Sequence, residues 1–149
     1  MRILFEINRK STSYAGFELG HVIFEGPLAK VSSRDCLPPQ SMMVFTSATS
    51  LMDTVRGIHL RKSAKQFEWI GDDSSFRVFF TKTKDHQIMV QAMNNKVAEV
   101  SLPELFKAVN SSVSALIAGD GMLLEQNSAA WADLQAAHTS FRQAMTQRD

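Results

Sequence analysis

Residues 71–76 read Gly-Asp-Asp-Ser-Ser-Phe, with carboxylates at Asp72 and Asp73 and hydroxyls at Ser74 and Ser75. An oxygen-rich loop of this kind can hold calcium, place a carboxylate for proton transfer, or turn the chain. Calcium requires oxygen ligands spread over about twelve residues and a closing Glu. Here the chain continues Phe76-Arg77-Val78-Phe79-Phe80, a cation and apolar side chains where ligands belong. Proton transfer requires a partner group, and the spacing names none. Glycine, Asp and Ser between two apolar runs are the chemistry of a turn, because their side chains bond to nearby backbone and glycine accepts unusual φ. The expectation is a hairpin corner whose aspartates present charge to a protein partner.

The other reactive side chains are dispersed. His21, His59, His86 and His138 are far apart in sequence, and no H-E-x-x-H, C-x-x-C, G-x-S-x-G or phosphate-binding glycine motif occurs. His138 falls inside an apolar stripe, which predicts a hydrogen-bonded core or interface histidine. Cys36, the one cysteine, lies between Asp35 and Leu37-Pro38-Pro39 and reads as a small apolar residue. Glu99 with Glu104 and Asp120 with Glu125 have no spacing that demands acid–base work, and Glu104 has a capping role. Phe67, Trp69 and Phe79, with Arg77 and Lys82 between, have the composition of a base-stacking platform, but aromatic residues on half-buried strands usually belong to the core. No catalytic residue, metal ligand or cofactor is predicted.

The elements that position these groups follow from periodicity. Ile3, Phe5 and Ile7 alternate as in a strand, and Phe17 to Phe24 form another with a shift at Gly20 that suggests a bulge. Residues 28–33 are a candidate third strand. After the Pro38-Pro39 loop, residues 41–45 read as a short buried strand or the entry to a helix, and Leu51, Met52, Val55 and Ile58 then fall on one helical face, with Ser47 or Ser50 as cap. A meander follows: residues 66–71, 75–82, 87–93 and 97–102. Phe76, Val78 and Phe80 share one face and Phe79 takes the other, which suggests a strand covered on both sides. Ser101-Leu-Pro-Glu104 is a capping box that opens a helix ending at Gly119, a candidate left-handed cap. Trp131, Leu134, His138, Phe141 and Met145 form a heptad-like stripe on a last helix of about 128–147. The expected fold is a single α+β domain over 1–149, a mostly antiparallel sheet of about five to six strands with two to three helices on one face, the last helix a candidate for a peripheral position.

Composition narrows the function. The chain has 149 residues, of which 44% are hydrophobic and 21% charged, enough apolar surface for a core without disulfides. Sixteen basic and fifteen acidic residues leave a net charge of +1, without the one-signed excess typical of nucleic-acid binders. The first ten residues lack the apolar core of a secretory signal, and no window is long enough for a membrane span, so the expected location is cytoplasmic.

Residues 42–117 carry a resemblance. Their M-M-V-F entry to a helix, G-x-D-S-S-F hairpin and S-L-x-E-L helix start resemble small bacterial immunity proteins of polymorphic-toxin and contact-dependent inhibition systems. The resemblance implies a non-enzymatic cytosolic protein that neutralises a cognate toxin domain by direct binding, with no nucleic-acid or membrane partner. The candidate contacts are Trp69, Asp72, Asp73, Arg77 and Lys82, expected to be exposed. The alternatives are a secretion chaperone or adaptor, for which the C-terminal stripe would serve a homodimer, and a small enzyme with dispersed active-site residues.

Overall fold

The computed structural model describes residues 1–147 and shows an α+β fold. Its eight strands form two four-stranded antiparallel sheets, where the sequence suggested five or six strands in one. In the first sheet β2 (Leu19–Glu25) is central. It pairs along its length with β1 (Arg2–Ile7), and its other edge is shared by β3 (Lys30–Ser32) and the two-residue β4 (Met42–Met43). The second sheet is the meander β5 (Gln66–Ile70), β6 (Arg77–Lys82), β7 (Ile88–Ala92) and β8 (Asn95–Val100). The sequence pattern located the meander strands to within about two residues. β4 lies within residues 41–45, read from the sequence as a short strand or a helix entry, and the segment is both: Met42–Met43 is strand and α1 starts at Val44.

Gly20 does not mark a bulge. The β1–β2 register runs unbroken from Arg2–Glu25 to Ile7–Gly20. Glycine is required there because a Cβ would collide with the Glu6 carbonyl and the Val44 side chain. The register shift lies instead between Val90 and Gln91, on the β7–β8 ladder.

Helix α1 (Val44–Leu60) runs through the centre and touches both sheets and both other helices, α2 (Leu102–Ala118) and α3 (Ala129–Thr146). It starts three residues before Ser47. Its N-cap, Met43, makes no side-chain bond, so neither Ser47 nor Ser50 caps it. The end is satisfied by tertiary neighbours: Val44 N–H donates to the Glu18 carbonyl at 3.0 Å, and Met43 N–H to the Asp72 carbonyl at 3.0 Å. Helix α2 has the predicted capping box, with Glu104 N–H donating to Ser101 Oγ at 3.3 Å and Ser101 N–H to Glu104 Oε2 at 2.7 Å. The Ser101 hydroxyl, which donates to Glu104 Oε2 at 2.7 Å, and then the Ser101 N–H hold the Glu104 carboxyl below its ordinary pKa. Its other end differs from expectation: Gly119 has φ of −96° and is not left-handed.

The core joins these layers. Phe5 and Phe24 of the first sheet meet Trp69 of the second and Phe76 just before β6, with ring centroids 6.0–6.5 Å apart. Helix α3 is capped by Ser128 and lies against α1 and α2. Leu134, Phe141 and Ala144 are buried there, and Phe141 lies 4.7 Å from the Phe106 ring. The C-terminal stripe is therefore occupied within the chain, apart from Met145, which is 37% exposed.

Candidate functional site

The 71–76 segment is a turn anchored from several sides. Gly71 N–H donates to the Phe76 carbonyl at 2.9 Å, and Phe76 N–H to Ser74 Oγ at 3.1 Å. Asp73 takes the left-handed φ of 57°, a conformation that Asp tolerates better than most residues. Asp72 bonds through its backbone: its N–H donates to Ser47 Oγ of α1 at 2.9 Å, and its carbonyl accepts from Met43. Ser75 N–H donates to Gln40 Oε1 at 3.3 Å. A Cβ on Gly71 would strike Met42. These bonds engage backbone and hydroxyls. The Asp73 carboxylate is exposed and that of Asp72 partly so, on a corner held rigid from beneath.

The corner continues into a sheet face. Along β6, Val78 and Phe80 point to the core and Arg77, Phe79 and Thr81 to the opposite side. Register brings Glu68 of β5 and Gln91 of β7 beside Phe79, with Ile70 beside Arg77 and Met89 beside Thr81. This face turns away from α1. Arg77 and Glu68 form an ion pair at 3.6 Å, Ile70 is 42% exposed, and Phe79 and Met89 are partly exposed at the middle. The strand is therefore not covered on both sides. Phe79 gains its partial shelter among its cross-strand neighbours. The result is a small apolar centre flanked by Arg77, Glu68 and the aspartate corner, on strands that restrict its motion.

Two of the five expected contact residues lie elsewhere. Trp69 is 1% exposed. Its ring packs in the intersheet core, and its indole N–H donates to the Ser47 carbonyl and to Ser50 Oγ, 3.2 and 3.0 Å away. Even numbers on β6 and odd numbers on β5 face the core, so Trp69 and Phe79 lie on opposite sides of one sheet. Lys82 has core parity and sits at the far end of β6 from Arg77. Its Nζ donates to the carbonyls of Arg61 and Lys62 at the end of α1, at 2.9 and 3.4 Å, and lies 5.4 Å from the Phe67 ring centre. Asp72, Asp73 and Arg77 are brought together. Phe79, Glu68, Ile70 and Met89 belong with them, and the alternation of β6 was the signal that could have found Phe79.

The remaining reactive groups are engaged structurally. His21 is buried, with Nδ1 2.9 Å from Ser33 Oγ, and Ser33 is 0% exposed and also accepts from Val22 N–H. Burial, then the nearby Arg34 charge, pushes the His21 pKa down. His138 Nε2 lies 3.0 Å from Asn110 Oδ1 on α2, and burial lowers its pKa as well. Cys36 is partly buried against the Ser32 carbonyl, and burial raises its thiol pKa. Among the described residues, no group of three or more His, Cys, Asp or Glu is placed to hold a metal ion, and no helix is long and apolar enough to cross a membrane. Searches of protein-family models, curated proteins and solved structures found no match to the chain.

Proposed function

We propose that the chain is a non-enzymatic cytosolic binding protein that recognises another protein through the open face of the second sheet and its aspartate corner. The observation that carries this reading is the combination on one rigid surface of an apolar centre (Phe79, Met89, Ile70), an Arg–Glu pair, the exposed Asp73 and the partly exposed Asp72. Aromatic and arginine anchors surrounded by polar groups are the usual composition of protein interfaces. The surface is held by strand pairing and by the bonds to Ser47, Met43 and Gln40, so binding orders little that is not already ordered.

The partner class comes from the resemblance of residues 42–117: a cognate toxin domain, neutralised by direct binding as an immunity protein does. That segment contains α1, the meander and α2, and hence the whole proposed surface. Co-expression with the product of the adjacent gene tests the reading. The expected result is a toxic neighbour whose toxicity is relieved by this chain and which co-purifies with it. A neighbour that is harmless alone, or that forms no stable complex, overturns it.

A further inference from the structure

The outer edge of β1 is unpaired. Asn8 N–H donates to the Leu19 carbonyl at 3.0 Å, and the register places Glu6, Leu4 and Arg2 in the same phase against β2. The N–H and C=O groups of Ile3 and Phe5 therefore point away from β2. They have no hydrogen-bond partner among the described residues. Such a row is a template for another strand. β1 has none of the usual protections of an edge: no proline, no lysine and no bulge. Beside this edge runs a cleft of 590 Å³, lined by residues 1–4 and by α2. Its helical floor is made of small side chains, Ala108, Ser111, Ser112 and Ala115. Ser112 is 6% exposed, and its Oγ is buried without a hydrogen-bond partner. Buried hydroxyls are normally paired, and an unpaired one costs stability.

We infer that the cleft takes an extended segment of a partner protein, which adds antiparallel to β1, lies over α2 and meets the Ser112 hydroxyl. Charge sets its register. Arg2 and Glu6 flank Leu4 on the outer face of β1. Arg2 pairs with Glu25 at 3.3 Å and Glu6 with Arg34 at 3.2 Å, both on the β2 side. A carboxylate on the other side of Arg2 and a cation on the other side of Glu6 continue that alternation of sign across the sheet. The segment that fits reads basic-x-apolar-x-acidic. β1 of a second copy has this pattern, but its α2 excludes it. Neighbouring strands lie about 4.8 Å apart, whereas packed helices need about 8–10 Å. α2 runs along β1, so a two-fold axis at this edge would drive the two α2 helices into each other. The inference does not rest on the open face, which belongs to the second sheet.

The test uses the full chain and a fluorescein-labelled heptapeptide, Ser-Lys-Val-Leu-Val-Glu-Ser. Fluorescence anisotropy should show saturable binding. Amide exchange should slow at Ile3 and Phe5 when the peptide is bound, while Leu4 and Glu6 exchange slowly from the start. Exchanging the Lys and Glu of the peptide should weaken it at least about threefold, because like charges then oppose Arg2 and Glu6. Ser111→Arg with Ala115→Arg, both at exposed positions, fills the cleft and should weaken binding at least about tenfold at an unchanged unfolding midpoint. Ser112→Ala should weaken binding while holding or raising that midpoint, since the free chain loses an unpaired hydroxyl. This variant decides the matter if the arginine variant is unstable. Absence of binding, unslowed exchange at Ile3 and Phe5, undiminished binding by either variant, or equal affinity for the exchanged peptide overturns the inference. A chain that sediments as a dimer with Ile3 and Phe5 protected before peptide is added overturns it in favour of a second copy. None of these results bears on a complex formed through Arg77 and Phe79.

Discussion

Ser47 shows how much one hydroxyl can organise. It sits fully buried in α1, and its Oγ accepts the Asp72 N–H while its carbonyl accepts the Trp69 indole. Ser47→Ala leaves the Asp72 donor without its partner and should cost about 1–3 kcal/mol in denaturant titrations. Asp72→Asn with Asp73→Asn removes both charges and keeps the tolerance of Asn for left-handed φ, so the same titration should show little change. The two histidines of lowered pKa give a pH prediction. In the unfolded chain each titrates near the ordinary value of 6.5. Below that pH the unfolded chain takes up protons that the native imidazoles refuse, so stability should fall as pH drops from about 7 toward each native pKa and level off below it. Replacing His21 and His138 by Gln should flatten the denaturation midpoint over that window. An unchanged slope would mean that other groups dominate.

Elements were legible where local pattern and final environment agree. The alternation of β5 to β8, the capping box of α2 and the Ser128 start of α3 are written in neighbouring residues, and the structure has them. The capping of α1 was not legible, because the donors at its start are met by the carbonyls of Glu18 and Asp72, which are distant in sequence. The division into two sheets was hidden for the same reason: β4 consists of two residues whose pairing to β2 depends on the whole first sheet. Trp69 was misplaced because composition does not say which face of an amphipathic strand is inner, and the rings of Phe5, Phe24 and Phe76 made that choice. The stripe on α3 was legible as a stripe, and its partner proved to be α1 and α2. Phe141→Ala should therefore cost about 3–5 kcal/mol, as for other buried aromatic truncations, measured as a lowered unfolding midpoint. A cost below about 1 kcal/mol would mean that α3 is dispensable to the core.

Across the molecule, the chemistry divides by end and by face. The core takes the aromatic rings and the buried histidine, the open sheet face offers an apolar centre with an ion pair, and the corner is acidic. The candidate site was accordingly half readable: Asp72, Asp73 and Arg77 are neighbours in sequence and remain neighbours in space, while Phe79 and Lys82 needed the strand's parity and direction. The central claim is that the open sheet face binds a protein. Titrating the purified product of the adjacent gene into the chain by calorimetry tests it most directly. The wild-type chain should form a saturable complex, and Arg77→Ala with Phe79→Ala should weaken it at least about a hundredfold, near 3 kcal/mol, without lowering the unfolding midpoint by a comparable amount. No heat of binding to the wild-type chain, or equal affinity of the double variant, would contradict the claim.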